Sequence, residues 1–154
     1  MNGKVPITLL CSAVLAFACG PRSRNDAASA SNEPRRVVAS ADAGPLTPSL
    51  DVTVAHDVRF AFQVMNASKK KLEVNFRDGK THEVVVLDSL GREVWRWSDG
   101  RMFTQAMQNR VLRTSDLLQY EEKWSDPAPG RYVVVATLAS ENYPVERRAG
   151  FTVR

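Results

Sequence analysis

The sequence is poor in the residues on which most chemistry depends. It contains two cysteines, Cys11 and Cys19, and two histidines, His56 and His82. Neither cysteine lies beyond residue 19, so the body of the chain has no pair for a disulfide and no thiol nucleophile. The histidines stand 26 positions apart without a His-Glu-x-x-His pattern or cysteine neighbours, which leaves no zinc signature and reads them as surface or turn residues. Gly-x-Ser-x-Gly is absent, as is a glycine-rich loop between a strand and a helix, so neither a hydrolase elbow nor a phosphate cradle is encoded. Glu121 and Glu122 adjoin, but neighbours in a strand face opposite ways and make a poor acid and base pair. No catalytic residues, cofactor or metal are expected, and the reading is of a protein that binds and does not catalyse.

Charge of one sign is also scarce. The 154 residues carry 21 Lys and Arg against 17 Asp and Glu, a formal +4, and from residue 49 onward 16 basic residues face 14 acidic ones. Nucleic-acid binders concentrate far more positive charge on one face, so no nucleic-acid partner is expected. With 44% hydrophobic and 25% charged residues, the chain fits one soluble domain with spare length.

The spare length lies at the front. Residues 1–19 combine Met1 and Lys4 with a mostly apolar run from Val5 to Ala18, too short to span a membrane comfortably, since about 20 apolar residues are needed. Ala18 before Cys19 resembles the bacterial lipobox, which implies lipidation of Cys19 and removal of the preceding peptide. Ala16 and Phe17 depart from the commonest residues there, and ordinary signal-peptide cleavage is the alternative. Each buried methylene is worth about 0.8 kcal/mol, so several acyl chains would hold the protein on a membrane. The expected location is therefore the cell envelope, as an exported lipoprotein facing the outer membrane or periplasm, with plain secretion second. Residues 20–49, rich in Ala, Ser and Pro, cannot bury enough surface to order themselves and read as a linker. As a flexible coil of roughly 30 residues, it would span about 30 Å.

From Leu50 to Arg154 the pattern alternates with a period of two. Val58, Phe60, Phe62 and Val64 interleave with Arg59, Ala61 and Gln63, and Leu72, Val74 and Phe76 with Glu73 and Asn75. Further strands are expected at Leu50–Val54, Glu83–Asp88, Glu93–Trp97, Leu117–Trp124, Arg131–Ala139 and Arg147–Val153. Breaks fall at Arg77-Asp78-Gly79-Lys80, Ser89-Leu90-Gly91 and Asp126-Pro127-Ala128-Pro129-Gly130. Met102 to Val111 reads as a helical turn or an irregular crossing. About eight short strands in this length predict an all-β, two-sheet antiparallel sandwich, with a closed barrel as runner-up. Pro129-Gly130-Arg131-Tyr132 before three valines looks like the tyrosine approach to a late strand of immunoglobulin-like domains. Lys69, Lys70 and Lys71 read as a solvated hairpin tip.

Trp95 and Trp97, two apart, share one strand face opposite Val94 and Arg96, and form either a core wall or a recognition platform. They belong to Gly91-Arg92-Glu93-Val94-Trp95-Arg96-Trp97-Ser98-Asp99-Gly100-Arg101-Met102-Phe103-Thr104-Gln105-Ala106. This stretch strongly resembles the BsuPI-type intracellular proteinase inhibitor domain, with its G-x-x-V-W-x-W-S-x-G-x-x-F-T-Q core, and the order of the surrounding strands also fits, so that the resemblance covers most of residues 50 to 154. The resemblance implies an immunoglobulin-like sandwich and inhibition of a subtilisin-like serine proteinase. It makes Trp95, Trp97, Phe103, Gln105 and Tyr132 family-motif residues of structural character. Read from the residues themselves, Phe103 is expected to return to the core and Gln105 to pair with backbone across the gap. The leader departs from a family named as intracellular, so a target proteinase would be extracytoplasmic. The expected partner-binding segment is Ser98, Asp99, Gly100, Arg101 and Met102, acting as an exposed loop on a monomeric domain that binds without a covalent bond. The competing expectation is an envelope module that docks another protein without inhibiting it.

Overall fold

In the computed structural model, residues 44–154 are described, and they form nine antiparallel strands without a helix. The strands are β1 (Leu46–Val54), β2 (Val58–Asn66), β3 (Leu72–Phe76), β4 (His82–Asp88), β5 (Glu93–Arg96), β6 (Gln108–Leu112), β7 (Leu117–Trp124), β8 (Gly130–Leu138) and β9 (Val145–Val153). One sheet has the order β1-β2-β7, a second has β5-β4-β8-β9, and β3 pairs with β6 as a two-stranded ribbon. β1 also runs against β9, so the two larger sheets approach each other along one edge. The architecture is the antiparallel sandwich that the alternation predicts. Cys19 and the signal-peptide and linker assignments up to residue 43 lie outside the described residues.

The core follows from the period of two. On β2, Val58, Phe60, Phe62 and Val64 all point inward and are fully buried, while Arg59, Ala61 and Gln63 face out or sit at the edge. Val84 and Val86 of β4 and Val134, Ala136 and Leu138 of β8 supply the opposing wall. Burying a side chain of this size contributes about 1.5–3 kcal/mol, and these rows hold the domain together without a crosslink.

Three side chains tie connections to the strands by hydrogen bonds to backbone. Asn66 ends β2 fully buried, and its amide nitrogen donates to the carbonyls of Lys70 (2.8 Å), Leu112 (3.0 Å) and Arg113 (3.1 Å). Its amide oxygen accepts from Ser68 N–H (3.0 Å) and Ser68 Oγ–H (2.7 Å). One side chain thereby ties the β2–β3 turn, where Lys69, Lys70 and Lys71 are exposed, to the end of β6. Asn142 works on β3 in the same way, accepting from Asn75 N–H (3.0 Å) and donating to Glu73 O (2.7 Å), so its amide stands in for a neighbouring strand. At the start of β8, Tyr132 Oη–H donates to Ala128 O at 2.8 Å, a tyrosine corner of immunoglobulin-like form.

Most strand ends fall within two residues of expectation, and two regions differ by more. β1 begins at Leu46, ahead of the expected Leu50, because Pro48 lies on an outer strand of its sheet, where a missing N–H is tolerated. Within Met102–Val111 there is no helical turn. Residues 101–105 are irregular, and Gln108–Leu112 forms β6 because its backbone completes the ladder with β3, although only Leu112 of its side chains is buried.

Candidate partner-binding loop

The expected binding residues fall in the connection from β5 to β6, and its rigidity starts with Trp97. Trp95 and Trp97 both turn inward. Trp95 packs on Phe60 (ring centroids 5.7 Å) and Trp124 (6.4 Å), and Trp97 is 8% exposed. They are a core wall, not an exposed platform, and Val94 takes the outer face. Beneath Trp97 lies His82, its ring 4.0 Å from Trp97 and 4.0 Å from Tyr120, with Nε2 2.9 Å from Glu122 Oε1.

His82 is thus a core histidine, contrary to the surface role expected of it. It is drawn inward because it begins the buried row His82, Val84, Val86 of β4. Burial disfavours its cation and lowers its pKa to about 4. Against an ionised Glu122 carboxylate, which can only accept, the neutral imidazole carries its hydrogen on Nε2, and Nδ1 is left buried without a partner among the described residues. Burial raises the pKa of Glu122, with Arg101 at 3.9 Å opposing the rise. Glu121 faces solvent, so the adjoining glutamates do diverge as strand geometry requires.

The loop itself is braced from both sides. Ser98 Oγ–H donates to Glu83 Oε2 at 2.6 Å, Ser98 N–H reaches Glu83 Oε1 at 3.3 Å, and Arg96 and Lys80 pair with the same carboxylate. Burial opposes ionisation of Glu83, but Lys80, Ser98 and Arg96 together hold its carboxyl below the usual range. The chain then turns, with Asp99 N–H on Arg96 O (3.3 Å), Arg101 N–H on Ser98 O (3.1 Å), and Gly100 at φ 69°, where a side chain would be strained. Arg101 donates from Nε to Trp97 O at 2.9 Å, and its guanidinium lies 4.9 Å from the Trp97 ring centre.

On the far side, Phe103 packs on Trp97 at 5.4 Å and Gly79 N–H donates to Thr104 O at 2.8 Å. A Cβ on Gly79 would sit 2.6 Å from Thr104 Oγ1 and 3.1 Å from Thr104 N, so glycine permits this approach. Between the braces, Asp99, Gly100, Arg101 and Met102 are exposed, Met102 at 98%. Gln105 is exposed and donates locally to Phe103 O at 3.4 Å, not across the gap as expected.

Elsewhere the fold brings together His56, Asp57 and Asp126, whose donor atoms lie within 4.8 Å of one another. Their distance in sequence conceals this, since they come from the β1–β2 turn and the β7–β8 connection. Asp57 is bound to Lys123 Nζ at 3.0 Å, and His56 and Asp126 are exposed, an arrangement that leaves one of the three potential ligands already engaged.

Fold and loop together define a small immunoglobulin-like sandwich that presents a short, internally braced surface segment. Residues 46–143 match the family described as "BsuPI: Intracellular proteinase inhibitor", and the chain belongs to that family. No curated protein matches the chain. Among solved structures, a β-glucuronidase from glycoside hydrolase family 2 superposes with a TM-score of 0.41 at 11% identity, over 71% of this chain and 11% of the enzyme. The β-glucosidase EmGH1 from Erythrobacter marinus gives a TM-score of 0.35 at 13% identity, over 64% of this chain and 13% of the enzyme. The chain therefore spans little more than a tenth of either structure. Among the described residues, no helix is long and apolar enough to cross a membrane.

Proposed function

We propose that this protein inhibits a serine proteinase of the subtilisin-like class outside the cytoplasm, by non-covalent binding of the segment Ser98–Met102. The observation that carries the reading is the family match across residues 46–143. The braced loop supports it, because a segment already held in place loses little conformational freedom on binding. The leader supports the location: an apolar run ending at Cys19 fits export followed by lipid anchoring at that cysteine.

Titration of purified protein into a panel of extracellular serine proteinases tests the activity. The expected result is a saturable loss of activity with a fixed molar endpoint. A co-purified partner combined with undiminished activity of every proteinase would replace inhibition by docking. Mass spectrometry of the mature N-terminus tests the anchor, with an acylated Cys19 expected and an unmodified peptide beginning after Cys19 contradicting it.

A further inference from the structure

Met102 is the most exposed large apolar side chain of the domain, at 98%, and the fold holds it there. The turn at Ser98–Arg101 and the Arg101 contacts with Trp97 fix the residue before it. Phe103 on Trp97 and Thr104 on Gly79 fix those after it. Residues 101–105 are neither helical nor turned, and Met102 leaves its own N–H and C=O without partners among the described residues. An apolar side chain held in water on a fixed backbone can be covered by a partner with little further loss of loop freedom, so its burial counts almost fully toward binding. Leu90 and Met107 are each exposed at 75%; Met107 follows the bend at Ala106, outside the segment held between Trp97 and Gly79, and Leu90 does not share this geometry either. Its N–H is bound to Asp88 Oδ1 at 2.8 Å within a tight turn, and its backbone is closed to an incoming chain.

From this we propose that Met102 is the specificity-determining residue of the loop, the side chain that fills the primary specificity pocket of an endopeptidase whose pocket is deep and apolar. The assignment rests on the inhibitor reading above and goes beyond it by naming the residue and the pocket chemistry. An unbranched thioether suits such a pocket, since it adapts to irregular walls. The free backbone groups beside it suit the extended pairing by which proteinases hold peptides. Asp99 and Arg101, flanking it on the same loop, are left at the rim.

The test compares wild type with Met102→Leu, Met102→Ala and Met102→Lys against two serine endopeptidases, one with an apolar pocket (subtilisin) and one with an acidic pocket floor (trypsin). Full burial of a methionine side chain is worth roughly 10- to 100-fold in affinity. Met102→Leu should inhibit subtilisin like wild type, and Met102→Ala should lose about that factor. Met102→Lys should lose subtilisin and gain trypsin. Because the side chain is exposed, all three should melt with wild type, which separates pocket filling from folding. Inhibition by wild type that all three variants retain unchanged would overturn the role of Met102 and leave the inhibitor reading standing. A wild type that inhibits neither these two enzymes nor any of the panel would overturn both.

Discussion

Replacing Glu83 should loosen the Ser98–Met102 loop while leaving the sheets intact. The carboxylate is 12% exposed and receives Ser98 Oγ–H, Ser98 N–H, Arg96 and Lys80. Arg96 and Lys80 are each 33% exposed and can turn to water, so each pair is worth only about 0.5 kcal/mol. The two Ser98 bonds are partly buried and charge-assisted, and contribute about 1 kcal/mol each. Glu83→Ala should therefore cost about 2–3 kcal/mol, which for a domain of this size lowers Tm by roughly 10–15 °C. Glu83→Gln, which keeps the shape and loses the charge, should cost about half as much.

The pH dependence gives a second handle on the same residue. The folded pKa of Glu83 is lowered from 4.5, so its contribution is fully present above the unfolded value and disappears as pH falls through the depressed folded value. The gap between wild type and Glu83→Gln should then close in acid. Differential scanning calorimetry from neutral to strongly acid pH measures the gap, and hydrogen exchange at Ser98 and Arg101 reports the loop. An unchanged Tm together with unchanged exchange in Glu83→Ala would refute the bracing argument.

Further predictions concern the core and the corners. His82 has its folded pKa lowered to about 4 from 6.5, so the unfolded chain binds the extra proton and stability falls as pH drops between those values. The loss from His82 amounts to about 3 kcal/mol, partly offset by the raised pKa of Glu122, and urea midpoints for wild type should fall across that window while those of His82→Phe stay flatter. Asn66→Ala strands three carbonyls, that of Leu112 buried and those of Lys70 and Arg113 partly so, with two Ser68 donors, and should cost about 2–4 kcal/mol by chemical denaturation. Gly79→Ala pushes a methyl into Thr104 and should cost about 1–3 kcal/mol while displacing the loop, visible as altered tryptophan fluorescence that a Trp97→Phe background abolishes. Tyr132→Phe deletes one exposed hydroxyl bond and should cost only about 1 kcal/mol in the same assay.

Much of this was legible in the sequence where burial imposes a period of two. Val58, Phe60, Phe62 and Val64 announce β2 because one face of it meets the core along its whole length. β6 escaped that reading because Gln108, Asn109 and Arg110 carry no buried alternation, and its backbone bonds to β3 are indifferent to side chains. His82 was recoverable: it extends the inward row of Val84 and Val86 by one step, just as Glu122 sits within the inward row between Tyr120 and Trp124. A lone histidine at a strand start nonetheless looks like a turn residue until its stacking partners, Tyr120 from β7 and Trp97 from just beyond β5, come into view. The motif located the loop, but its bracing depends on Glu83 and Gly79, which precede Ser98 and Thr104 by many residues and meet them only through tertiary packing.

The central claim is that the braced β5–β6 connection is the surface that grips a proteinase. Hydrogen exchange of the protein, free and saturated with an inhibited endopeptidase, tests it most directly. The account predicts new protection concentrated between Ser98 and Met107, with the β3–β6 ribbon and the outer face of β1-β2-β7 unchanged. Protection confined to those other surfaces, with the loop exchanging as in the free protein, would contradict it.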